Sequence, residues 1–324
     1  MIPFRVPDQA EELPWLTVVM PVHSGEQWIE ATLQSLADQA EPGLEVILLD
    51  SSPNDATMAI AQSYSDRLRL HAIHRPDVPG WHAKTNIGVE MARAEHACIL
   101  HQDDLWRPGR AAAVRRWIAQ APEAALHLAP TEIIDRDGRR RGVWRCPLSE
   151  SLLAPSAVIE RLLVQNFVPM PSPVFRRDSW LACGGMDTDL WYTCDWDIWL
   201  KLAAIGPVRY SREITTSFRI HGSSLTMTGS RNAAEFESQM RTVLDRHLPK
   251  LPKDREKRIG RIGRASIRVN VALALASRGE LRRIVAAAWD VLSLGPRGIA
   301  LYLRDSRILE RALPRLRARL AGGL

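Results

Sequence analysis

Ala97-Cys98-Ile99-Leu100-His101-Gln102-Asp103-Asp104-Leu105-Trp106 is the stretch that decides the fold. A run of strand-forming residues ends in two adjacent carboxylates, followed by Arg107-Pro108-Gly109 and a helical pattern to Ala119. Two acids at the mouth of a buried strand call for a cation or a charged ligand, because an unpaired buried carboxylate is costly. In one reading, one carboxylate binds a divalent cation and the other binds a ribose hydroxyl or a metal-bound water. In the other, the pair is a solvated turn whose Asp caps the next helix. The pair by itself favours neither.

Outward from this stretch the chain alternates. Leu16-Thr17-Val18-Val19-Met20-Pro21-Val22 reads as a strand buried on both faces, and Trp28, Ile29, Leu33 and Leu36 mark a helix from Glu26 to Ala37. Glu45–Leu49 is a second strand, closed by the turn-forming run Asp50-Ser51-Ser52-Pro53-Asn54-Asp55 and a helix over Ala56–Tyr64. A strand at Arg69–Ile73 and a helix at Lys84–Ala92 lead into the acidic stretch. This alternation predicts an α/β domain with a parallel sheet, whose ligands bind at the carboxyl ends of strands. Asp50, Asp103 and Asp104 all fall there.

Further on, Ala124–Ile134 reads as one strand with Asp135–Gly138 as a hairpin turn, and Val158–Gln165 as a helix. Pro169, Pro171 and Pro173 predict an extended segment before Val174-Phe175. Arg177–Cys183 is a short helix, Asp195–Ala204 a helix, and Val208–Tyr210 and Thr215–Ile220 strands. From about residue 229 the chain turns Ala/Leu/Arg-rich, with helices expected over Ala233–Arg246, Ile259–Ser277, Glu280–Leu294 and Arg297–Leu320. The expected division is a sheet domain over 1–228, with halves at about 15–110 and 111–228, and a basic helical region over 229–324.

At 46% hydrophobic residues the 324-residue chain can bury a sizeable core. Cys98, Cys146, Cys183 and Cys194 form no CxxC pair, so neither structural zinc nor an oxidising compartment is expected. The N-terminus lacks a signal-peptide pattern, and no run of about 18 apolar residues occurs, which predicts a cytoplasmic protein. The net charge of +6 is uneven: residues 251–324 hold 17 Lys/Arg against 6 Asp/Glu, a net of +11, and the rest is net −5. That basic region reads as a solvated helical bundle, as a peripheral membrane contact through Ile284, Val285, Trp289, Val291 and Leu292, or as an oligomer interface. Nucleic acid is not expected, since no binding motif accompanies the charge.

Two more positions could carry chemistry. Asp195, with Asp197, starts a helix, where it either caps the helix or serves as a general base. His221 follows a strand and is either structural or a metal ligand.

Taken in order, these motifs resemble glycosyltransferase family 2. Thr17–Val22 followed by Glu26, Asp50 with Asp55, Asn86-Ile87-Gly88, and Asp103-Asp104 with Pro108 resemble its nucleotide half. Gly184-Gly185-Met186-Asp187, Asp195-Trp196-Asp197-Ile198-Trp199-Leu200-Lys201-Leu202 and Arg219-Ile220-His221 resemble its acceptor half. The resemblance implies a GT-A fold, a Rossmann-like, mostly parallel sheet flanked by helices, here with a C-terminal helical extension. It also implies metal-dependent, inverting transfer of a sugar from a nucleoside diphosphate sugar to a glycan or lipid-linked acceptor, as in cell-envelope polysaccharide synthesis. It assigns the metal, Mn²⁺ or Mg²⁺, to Asp104 and His221, the ribose to Asp103, the base to Asp50 and catalysis to Asp195. Pro21, Val22, Glu26, Lys84 and Asn86 complete the nucleotide-binding set. Three positions depart from the pattern: Ser51 replaces a second acid, Cys194 replaces a Glu and Thr85 replaces an Arg, with Lys84 left to supply positive charge. The competing readings are an inactive binding or scaffold protein on the same fold, and a sugar-nucleotide pyrophosphorylase. The latter lacks its glycine- and base-rich loop in Val22-His23-Ser24-Gly25-Glu26.

Overall fold

The computed structural model describes residues 12–222, 232–276, 279–308, 310 and 313. In chain order the first elements are β1 (Leu16–Val22), α1 (Ile29–Ala37), β2 (Leu44–Asp50), α2 (Ala56–Gln62), β3 (Arg69–His74), α3 (Trp81–Met91), β4 (His96–Ile99), β5 (Leu105–Trp106) and α4 (Arg110–Gln120). They are followed by β6 (Leu126–Leu128), β7 (Thr131–Ile134), β8 (Arg140–Trp144), β9 (Ser151–Leu153), α5 (Pro155–Leu162), β10 (Val174–Arg176), α6 (Arg177–Ala182), α7 (Cys194–Ile205), β11 (Val208–Tyr210) and β12 (Thr216–Arg219). The chain ends in α8 (Ala233–His247), α9 (Lys253–Ala276), α10 (Arg282–Leu292) and α11 (Gly295–Ser306).

The main sheet has eight strands in the order β3-β2-β1-β4-β10-β6-β11-β9. Its first four strands are parallel, β10 runs antiparallel between β4 and β6, and β9 closes the far edge antiparallel to β11. Every residue of β1 and β2 is buried, which explains their unbroken apolar sequence. Pro21 is tolerated in a central strand because the pairing of β1 with β4 ends at Val19, so its missing N–H removes no ladder bond there.

A second sheet, β5-β12-β7-β8, sits beside the end of β4. It corrects the expectation of one strand over Ala124–Ile134. Ala129-Pro130 splits that stretch, because a proline cannot donate to a ladder, and β6 and β7 join different sheets. Two helices begin earlier than expected, α5 with Pro155 in its first turn and α9 directly after Pro252. The helix expected from Arg107 begins instead at Arg110, after β5 and a left-handed Gly109. The expected boundary at 228–229 lies outside the described residues, and the helix expected over Arg297–Leu320 ends instead at Ser306, before a left-handed Arg307, with residues 314–324 outside the described residues.

Phe236, Met240, Val243 and Leu244 of α8 and Ile259, Ile267, Val271 and Leu275 of α9 belong to the same buried cluster as Trp196, Trp199 and Leu202 of α7. The helical region therefore shares the core of the sheet. Among the described residues, no single helix is long and apolar enough to cross a membrane.

Candidate active site

Strands β1, β2 and β4 deliver their carboxyl ends to one place. Val22 is in register with Asp50, whose side chain is fully buried. Asp50 Oδ1 accepts from the Ser52 N–H and hydroxyl, and Oδ2 is buried with no hydrogen-bond partner. Lys84 reaches the same point from α3. Its Nζ donates to Val22 O and, at 2.6 Å, to Ser51 Oγ. Burial lowers the Lys84 pKa to about 8, against the opposing pull of Asp50. The hydroxyl of Ser51 is thus taken by Lys84, in a place where a second acid would face an ammonium. Glu26 is half-buried in the turn before α1.

Asn86 faces the other way. It donates to Met186 O at 2.9 Å and accepts from Met186 N–H at 2.8 Å, tying α3 to the loop before α7. Gly185 makes this possible: its φ is +66°, and a Cβ there would lie 2.5 Å from Asn86 Oδ1.

The acidic turn is held by the second sheet. Asp104 is 1% exposed, and its Oδ1 accepts from the Arg219 N–H at 2.9 Å. Arg219 Nε donates to Asp103 O, and its guanidinium lies over Trp28 with 4.6 Å to the ring centre. Asp103 keeps 19% of its side chain exposed, and its Oδ2 lies 2.8 Å from His221 Nε2. Burial, reinforced by Asp103, pushes the Asp104 carboxyl well above the usual range. Burial also opposes ionisation of Asp103, but the hydrogen bond from His221 and the nearby His101 outweigh it and hold Asp103 low.

His101, Asp103 and Asp104 offer ligand atoms within 4.8 Å of one another, the one such group among the described residues. Asp104 Oδ2 and His101 Nε2 are buried without a hydrogen-bond partner. His221 meets the group through Asp103.

Asp195 lies in the first turn of α7. Its Oδ2 accepts from Asn166 Nδ2 at 2.8 Å and its Oδ1 from the Trp196 N–H at 2.7 Å. Asp197, two residues on, is fully buried and serves a different purpose. It binds Lys201, Arg246 and His247 at 2.8, 3.0 and 2.8 Å, which holds its carboxyl far below the usual range despite burial. Cys194 is buried and burial raises its thiol pKa, so it supplies no charge where the resemblance expects a Glu.

Sequence alone assigns no role to His101 or Asn166, and Arg219 enters only as part of a motif. His101 had a usable signal, an imidazole two residues before an acid in a strand-end turn. Asn166 had none, since its partner is 29 residues away.

A family model described as Glycosyl transferase family 2 matches residues 17–175. An uncharacterised glycosyltransferase of Rickettsia typhi is 21% identical over 230 residues, covering 69% of this chain and 70% of that protein. The chain belongs to glycosyltransferase family 2. The crystal structure of S. aureus TarS 1-349 in complex with UDP-GlcNAc superposes on this glycosyltransferase with a TM-score of 0.62 at 17% identity, covering 89% and 85% of the two chains. The mannosyltransferase PcManGT from Pyrobaculum calidifontis, in complex with GDP-Man and Mn²⁺, superposes with a TM-score of 0.55 at 17% identity, covering 94% and 88%. These likenesses establish the GT-A fold, with its sheet, flanking helices and C-terminal helical region.

Proposed function

We propose that this glycosyltransferase moves a sugar from a nucleoside diphosphate sugar to a hydroxyl of a glycan or glycolipid, with inversion and with a divalent cation, Mn²⁺ or Mg²⁺. One observation carries the reading. The acidic turn leaves Asp104 Oδ2 and His101 Nε2 buried and unpartnered within one three-residue donor group. Two carboxylates and an imidazole suit such a cation. Asp103, Asp104 and His101 would hold it, with His221 adjoining Asp103, and it would take up charge on the departing diphosphate. Asp104 keeps Oδ2 for the cation while its Oδ1 accepts from the Arg219 N–H, which supports its expected role as metal ligand, and Asp103, beside His221, is the more exposed of the pair.

The chain's own residues do the rest. Asp50 Oδ2 offers an acceptor to an N–H of the base, and Lys84 keeps positive charge at the end of β1. Asp195, held by Asn166 and the Trp196 N–H, takes the proton from the acceptor hydroxyl. The acceptor oxygen bonds to the anomeric carbon as the bond from that carbon to the phosphate oxygen breaks, and Asp195 keeps the proton. The solved relatives with UDP-GlcNAc and with GDP-Man and Mn²⁺ support a nucleotide-sugar donor and a metal. Ser51 leaves the base open, so both uridine and guanosine donors belong in the test. A lipid-linked acceptor would lie at a membrane surface. Thermal melting with a panel of sugar nucleotides, with and without Mn²⁺, checks the donor: one donor should raise Tm in a metal-dependent way. If no sugar nucleotide shifts Tm under either condition, the reading is wrong.

A further inference from the structure

We infer that the outer face of α10 is a docking surface for an anionic lipid bilayer. The inference rests on the reading above only for placing the acceptor at a membrane; the lipid contact itself stands on the helix. Leu281, Val285, Trp289 and Leu292 recur at intervals of four, four and three residues, so they share one side of α10. They are 61%, 76%, 72% and 61% exposed. On the other side, Ala287 is buried and Val291 packs on the cluster of Val164, Ile262 and Tyr302. Asp290 is held by Arg268 of α9. The helix thus has one apolar face spent on the core and a second left bare. Single exposed apolar side chains are ordinary, but four in register, one of them a tryptophan, mark a contact surface.

Charge selects the occupant. Arg282 and Arg297 are exposed near the two ends of the stripe and form no ion pair among the described residues. Residues 251–324 carry a net of +11. A second copy of this chain would set that positive charge against itself. An anionic bilayer supplies the opposite charge, together with an apolar boundary that takes up Val285 and the indole of Trp289. Helices α10 and α11 meet at 116°, a bend that suits helices lying in an interface.

Flotation of the full chain with vesicles tests this. Wild type should float with vesicles containing phosphatidylglycerol at least tenfold better than with pure phosphatidylcholine. The double variant Val285→Glu/Trp289→Glu should lose that binding at least tenfold. Its melting temperature and its stabilisation by donor with Mn²⁺ should be unchanged, which separates loss of the lipid contact from loss of the donor site. Equal flotation of variant and wild type overturns the inference, as does failure of wild type to bind anionic vesicles. A variant that abolishes self-association in sedimentation while wild type ignores vesicles would assign the face to a second copy and overturn it too.

Discussion

Lys84 shows how one residue can be legible in kind but not in position. Its proximity to the missing Arg marked it as the source of positive charge. That it would be buried, donating to Val22 O and Ser51 Oγ, depends on a contact between α3 and the ends of β1 and β2 that spacing does not reveal. Burial brings its pKa to about 8. A lysine is charged below its pKa, so the ammonium is present at pH 7 and is lost as pH rises through 8. Donor affinity, measured by titration calorimetry, should fall about tenfold between pH 7 and pH 9. Lys84→Met should bind more weakly at pH 7 and lack that step. The placement of Asp50, Asp103 and Asp104 after strands and of Asp195 at a helix start was readable because the apolar periodicity marks where each element ends. The pairing of Asn86 with the Met186 backbone was not readable, since the two are 100 residues apart.

At the scale of elements, α7 is held from behind by α8. Arg246 bridges Asp187 and Asp197 at 2.8 and 3.0 Å, and His247 adds a second bond to Asp197. Asp197 sits two residues, about half a turn, from the proposed base, so this clamp sets the pitch of α7. Removing one partner of a buried carboxylate leaves charge uncompensated, which typically costs about 3 kcal/mol or more, here reduced because Arg246 is partly exposed and Lys201 and His247 remain. Arg246→Met should therefore lose about 1–2 kcal/mol in urea unfolding and lower kcat more than KM. A result with unchanged stability would show that the clamp is idle. The alternating strands and helices of the first half were legible because each shows its period within its own short stretch of sequence. The insertion of β10 and the assignment of β6 and β7 to different sheets were not, because they depend on which distant strand accepts the pairing.

For the whole molecule, the charge map marks a sheet domain and a basic helical region, and the packing joins them. Phe236, Met240, Val243 and Leu244 are buried in the cluster that contains Trp199. At about 1.5–3 kcal/mol for each large buried side chain, removing α8 alone forfeits an amount comparable to the total stability of a typical domain. A chain ending at residue 231 should accordingly lack a cooperative melting transition by near-UV circular dichroism; an intact transition would show that the sheet domain folds alone. The central claim is that the acidic turn and Asp195 act together on a nucleotide sugar. The most direct test is release of nucleoside diphosphate from the preferred donor with acceptor present. Wild type should turn over with Mn²⁺ and stop when the metal is chelated, and Asp103→Asn and Asp195→Asn should each slow it at least 100-fold while remaining folded. Wild-type rates in either variant, or metal-independent turnover, would contradict the account.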